Sequence, residues 1–180
     1  TPDRQRHNQS LLLHPREVLD ATALEAALGQ LVLHHPSLRL AFRQEGGAWV
    51  QSYVPTEQVR QRWERRPLCW VRELQQEGGV EGLADEAQGS FNLAEPPLLR
   101  AVLMRLPSGQ QRLLIAVHHL VVDGVSWRVL LEDLQLAYRQ VSLVLKRPSG
   151  RVISHSRSCS KPAAPMRALS SAMPRHPFTG

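Results

Sequence analysis

The sequence predicts an α/β protein, a two-layer sandwich in which helices pack on a sheet of mixed strand direction. Three observations lead there. Residues 113–117 form a short apolar, β-branched run with a helical pattern close behind it, so a strand feeds a helix across a short loop. A second apolar run, residues 98–106, precedes it across the turn Ser108-Gly109, which predicts a hairpin. Upstream, strand-like and helix-like segments alternate, the order that lays helices against a sheet.

Each element has its own warrant. Residues 6–13, RHNQSLLL, read as a strand led in by polar residues, and His14-Pro15 ends it. Asp20 is the expected N-cap of a first helix, whose apolar face runs through Leu24, Ala27, Leu28 and Leu31 until Pro36 stops it. His34 and His35 fall at its end. Imidazoles there can bond the last carbonyls and complement the helix dipole. Capping is preferred to metal ligation, which needs further ligands that the neighbouring sequence does not supply. A strand follows at 39–44, then the turn Gly46-Gly47, then a strand at 49–54 closed by Pro55. Residues 58–66 are polar and carry four arginines, Arg60, Arg62, Arg65 and Arg66. They read as an exposed helical or irregular connection, a solvated face more than a binding patch. Another strand is expected at 68–71, a break at Gly78-Gly79, and a weakly amphipathic helix at 80–89. Residues 98–106 are apolar on both faces apart from Arg100 and Arg105, as an inner strand would be. In the last helix Trp127, Leu130, Leu131, Leu134 and Tyr138 share one face.

The 180-residue chain is 42% hydrophobic and 21% charged, ordinary for one globular core or one lobe of a larger domain. Its net charge of +6 belongs to the end of the chain. Beyond residue 140 stand seven basic residues and no acidic one, whereas the first 140 carry fifteen basic against sixteen acidic. Such a tail could bind nucleic acid by counterion release. The first 140 residues add no groove-reading helix or stacking platform, so no nucleic-acid function is expected. Residues 141–180, rich in Ser, Pro and Arg and without periodicity, are expected to be a disordered tail, set apart from a lobe at 1–140. No apolar run reaches the roughly 18–20 residues of a membrane span, and the first residues have no signal-peptide pattern; no membrane association and a cytoplasmic location are expected. Cys69 and Cys159 have neither metal-like spacing nor a disulfide pattern, and Cys69 is expected to be a small core residue.

Chemistry concentrates at the strand-to-helix junction, HHLVVDG, where His118, His119, Asp123 and Gly124 lie within seven residues. Adjacent strand residues point to opposite sides, so only one of the two imidazoles can face a given site. Histidine suits proton transfer because its ordinary pKa lies near neutrality. Gly124 is expected to allow a tight loop-to-helix turn, and Trp127 to be core.

HHLVVDG resembles the HHxxxDG motif of the condensation-domain superfamily of nonribosomal peptide synthetases. The continuation Val125-Ser126-Trp127 is similar to the epimerization branch more than to the peptide-bond-forming branch. Asn8, Gln9 and Ser10, the segment from His34 to Phe42, and residues 91–106 resemble further family segments. The resemblance ends near Tyr138, where the family continues into a second lobe. It implies one chloramphenicol-acetyltransferase-like lobe, the N-terminal half of a two-lobed domain with a tunnel between the lobes. A carrier-protein domain would present a thioester there on its phosphopantetheine arm, with no cofactor or metal bound directly. The resemblance assigns the chemistry to the second histidine, His119, leaves His118 largely structural, and pairs Arg39 with Asp123. From the residues alone Arg39 is equally readable as a solvated strand charge. The implied reaction is removal and return of the α-proton of a carrier-bound aminoacyl or peptidyl thioester, the second acid–base group being a glutamate of the second lobe. The chain alone is therefore expected to be inactive. Two alternatives stay open: a condensation domain in which His119 serves the attacking amine, and a non-catalytic remnant or carrier-docking module. The tail is expected to be an aberrant continuation of a truncated gene, or else a genuine disordered extension.

Overall fold

The computed structural model describes residues 7–75 and 79–146, which all lie in the first of two compact units, residues 1–148. The expectations for a disordered tail and for Cys159 therefore fall, from residue 147 onward, outside the described residues.

In order, the elements are β1 (Asn8–Leu13), α1 (Ala21–His34), a 3-10 turn (Pro36–Arg39), β2 (Leu40–Glu45), β3 (Ala48–Tyr53), α2 (Thr56–Arg65), β4 (Cys69–Glu73), α3 (Val80–Gly89), β5 (Leu99–Arg105), β6 (Gln111–His118) and α4 (Gly124–Leu145). The main sheet has the order β1-β6-β5-β4, and β2 with β3 forms a separate two-stranded ribbon. β4 runs parallel to β5, while β1–β6 and β5–β6 are antiparallel, so the sheet is mixed, as expected.

Alternation along β5 divides the core. Leu99, Ala101 and Leu103 join the larger cluster, with Leu24, Leu28 and Val32 of α1 and Trp127, Leu130 and Leu134 of α4. Val102 and Met104 point the other way, into a smaller cluster with Leu114 and with Ala87 of α3. This is why residues 98–106 read as apolar on both faces: α1 and α4 cover one side of the sheet and α3 covers part of the other.

The local chemistry follows the same logic. Asp20 caps α1, accepting from the Ala23 amide at 2.7 Å. Gly46 and Gly47 have φ of 56° and 86°, the left-handed pair that a two-residue hairpin requires and that glycine adopts without strain. Glu25 of α1 accepts from the amides of Leu68 and Cys69 at 2.9 and 2.7 Å, pinning the start of β4 to the helix. Cys69 is buried as expected. Burial, reinforced by the Glu25 charge, pushes its thiol up to about 12.

One boundary needs correction. α4 does not stop near residue 140 but continues to Leu145. Residues 141–145, VSLVL, contain no Pro or Gly, so each further residue adds a backbone hydrogen bond to a helix already nucleated. None of the helices in the described residues is long and apolar enough to cross a membrane.

Candidate functional site

β6 ends at His118, and the turn after it places the two imidazoles in different environments. His118 has no accessible surface. Its amide donates to the Leu98 carbonyl at 3.0 Å, its Nδ1 accepts from the Leu120 amide at 3.2 Å, and its ring meets Phe91 edge-on. His119 is exposed in the turn. Its amide donates to the His7 carbonyl at 2.8 Å, and its Nδ1 lies 3.0 Å from the Val122 carbonyl. A carbonyl only accepts, so Nδ1 carries a proton, and in the neutral imidazole Nε2 is the nitrogen with the lone pair. The geometry thus separates a buried His118 from an exposed, oriented His119.

The two histidines stand at the wall of a largely apolar cavity of about 680 Å³, whose other sides include Phe42 of β2, Trp49 of β3, Leu93 and His7. The strand register explains the presence of His7. Asn8 pairs with His118, so the residue before Asn8 comes beside His119. In sequence His7 reads only as a polar lead-in to a strand, and nothing short of the pairing selects it. Gln9 has a further role: its Oε1 accepts from the Trp127 indole at 2.6 Å, tying β1 to α4 across the motif. Trp127 is a core residue, as expected.

Asp123 and Arg39 are not brought together as a pair. The Asp123 carboxylate caps α4, accepting from the Ser126 amide at 2.7 Å. Bonds from the Ser126 hydroxyl and amide hold its carboxyl below the usual aspartate range. Arg39 instead donates from Nη1 to the carbonyls of Val32 and Leu33, at 3.0 and 2.6 Å. The 3-10 turn returns the chain beside the end of α1, whose last carbonyls lack intrahelical partners and accept from the guanidinium. The expected Arg39–Asp123 pair is corrected accordingly: each group is engaged at a helix terminus. His34 does stand in the last turn of α1 and His35 at its C-cap position, but the expected bonding of an imidazole to the final carbonyls is corrected. Arg39 serves the carbonyls of the last turn, and His35 turns away to Asp133 of α4, Nε2 to Oδ2 at 2.8 Å. Gly124, finally, opens α4 without a positive φ, and a Cβ there would meet nothing within 4 Å. The backbone at this position does not require glycine.

A mixed α/β lobe presenting a strand-end histidine to an apolar cavity defines the class: one lobe of a chloramphenicol-acetyltransferase-like domain. Residues 1–151 match the Condensation domain family, and the chain belongs to it. The chain is 41% identical over 138 residues to surfactin synthase subunit 2 of Bacillus subtilis (strain 168), covering 77% of this chain and 4% of that protein. It is 37% identical over 138 residues to tyrocidine synthase 2 of Brevibacillus parabrevis, again covering 77% and 4%. Among solved structures it is similar to the epimerization domain from the third module of tyrocidine synthetase B. That match has 32% identity and a TM-score of 0.66, over 79% of this chain and 32% of that one. The chain therefore spans a few per cent of the length of these curated relatives and about a third of the solved domain.

Proposed function

We propose that this chain is the N-terminal lobe of an epimerization-type domain in a nonribosomal peptide synthetase. His119 takes the α-proton from an aminoacyl or peptidyl thioester presented on the phosphopantetheine arm of a carrier-protein domain. The observation that carries the reading is the fixed Nδ1–Val122 bond, which leaves Nε2 of an exposed His119 as a base beside an apolar cavity. Removing the α-proton leaves an enolate whose charge the thioester carbonyl holds, and returning a proton to the opposite face inverts the carbon. That second proton needs a donor across the cavity. None of the described residues lining this cavity is a carboxylic acid, and in this reading the donor is the second-lobe glutamate that the family resemblance implies. In this reading His118 is structural, and Asp123, by capping α4, holds the loop-to-helix junction that supports His119.

A second reading rests on the family match itself: condensation domains join two carrier-bound groups, with His119 assisting the attacking amine. Deuterium wash-in at the α-carbon of a carrier-bound aminoacyl thioester, followed by mass spectrometry on the complete domain, separates the two. Exchange together with L-to-D conversion, lost in His119→Ala with the fold intact, is the expected result. Amide formation without α-exchange would replace the epimerization reading with the condensation reading. Unchanged turnover in His119→Ala would remove His119 from the chemistry. The purified 180-residue chain alone is expected to give no L-to-D conversion.

A further inference from the structure

Away from this cavity, the end of α1 meets the middle of α4 at three ligand-type side chains: His34, His35 and Asp133. One donor atom from each lies within 4.8 Å of the others. The neighbouring sequence offers the histidine pair no third ligand, and the fold supplies one from a residue 98 positions further along the chain than His35. The geometry points to a divalent transition-metal site of the zinc class, held by two imidazoles and one carboxylate and bridging α1 to α4.

Several features support this. Neighbours in a regular helix point about 100° apart. His34 is the last residue of α1, whereas His35 is extended, with φ −98° and ψ 104°, and this change of backbone brings the two rings to one side, edge to face with centroids 5.0 Å apart. Because Arg39 serves the final carbonyls of α1, neither imidazole is needed there. The donor set, nitrogen with carboxylate oxygen, is the one zinc prefers when thiolates are absent. Ligands about 2.0–2.2 Å from a tetrahedral zinc stand roughly 3.3–3.6 Å apart. His35 Nε2 and Asp133 Oδ2 are already 2.8 Å apart, so small side-chain rotations complete the set. His34 is exposed and lines, with Asp133, an open cavity of about 450 Å³, which gives the ion an entry path and leaves its remaining coordination positions to solvent. The metal takes the place of the proton that His35 and Asp133 otherwise share.

The test is a Zn2+ titration of the untagged full chain by calorimetry, with Co2+ absorption as a second readout. The variants are His34→Ala, which alters an exposed side chain, and Asp133→Asn, which keeps a hydrogen-bond acceptor for His35 but removes the charge. One Zn2+ per chain is expected. Each variant should weaken binding by at least the roughly 10-fold to 100-fold that removing even an outer-shell partner of a zinc ligand produces. At one Zn2+ concentration, Zn2+ should also raise the melting temperature of the parent chain by more than that of His34→Ala. Absence of saturable binding, or affinity unchanged in His34→Ala, overturns the proposal. The second result would place any bound ion on other histidines. If Asp133→Asn loses its fold, the His34→Ala comparison still decides.

Discussion

Arg39 shows how a single side chain can take a different partner from the one its surroundings in sequence suggest. Its guanidinium closes the end of α1 through the Val32 and Leu33 carbonyls. Charge-assisted bonds of this kind contribute about 1.5–3 kcal/mol, so Arg39→Ala should destabilise the chain by about 2 kcal/mol in urea unfolding. Because Asp123 is bonded to Ser126 instead, the effects of Arg39→Ala and Asp123→Asn should simply add in a double-mutant cycle. A measurable coupling would restore the direct pair. Cys69 makes a second residue-scale case. Its thiol is neutral throughout the ordinary pH range because ionising it would bury a charge beside Glu25. In a Cys159→Ser background it should resist alkylation at pH 8 until the chain is unfolded. The folded pKa is raised, so the unfolded thiol loses its proton first. The stability Cys69 contributes is complete below pH 9, the ordinary thiol value here, and is lost as pH rises towards about 12. A Cys69→Ala chain should show a shallower fall over that alkaline window.

At the scale of the element, helix ends carry the information. Asp20 and Asp123 are both N-caps, each accepting from the amide three residues on. Asp20→Ala should cost about 1 kcal/mol, measured by urea unfolding, and Asp20→Asn much less, since asparagine keeps the acceptor. A cost equal in both variants would shift the role of Asp20 from capping to charge. Asp20 is legible as a cap because it directly precedes an apolar-periodic run. Asp123 is legible only as a motif carboxylate. Its capping follows from a helix that begins at Gly124, earlier than Trp127, the first residue of the apolar face that periodicity traces. The end of α4 escapes the sequence for the opposite reason. Exposed Leu143, Val144 and Leu145 break the amphipathic pattern while the backbone remains helical. Short turn chemistry is plain at Gly46-Gly47, where positive φ at both positions leaves few residue choices.

For the whole molecule, the sheet gathers segments distant in sequence around one buried strand pair. Leu103 of β5 has no exposure and lies in the larger cluster, facing α1 and α4. Leu103→Ala should therefore cost about 2–5 kcal/mol by chemical denaturation, the range for a leucine whose cavity cannot collapse. A cost under about 1 kcal/mol would mean that the core relaxes around the site. The same packing explains why β1, although near the chain start, controls the site: its register on β6 sets His7 beside His119, and Gln9 holds Trp127.

The sequence by itself determined the α/β class, nearly every element, the core faces of α1 and α4, and the junction that presents His119. These follow from periodicity, caps and turns, which act over a few neighbouring residues. Only the tertiary structure decided that Arg39 closes α1, that His35 meets Asp133, and that His7 joins the cavity wall. Those contacts join separate elements, and their partners are selected by strand register and helix packing. Local patterning specifies neither, because both depend on segments far apart in the chain.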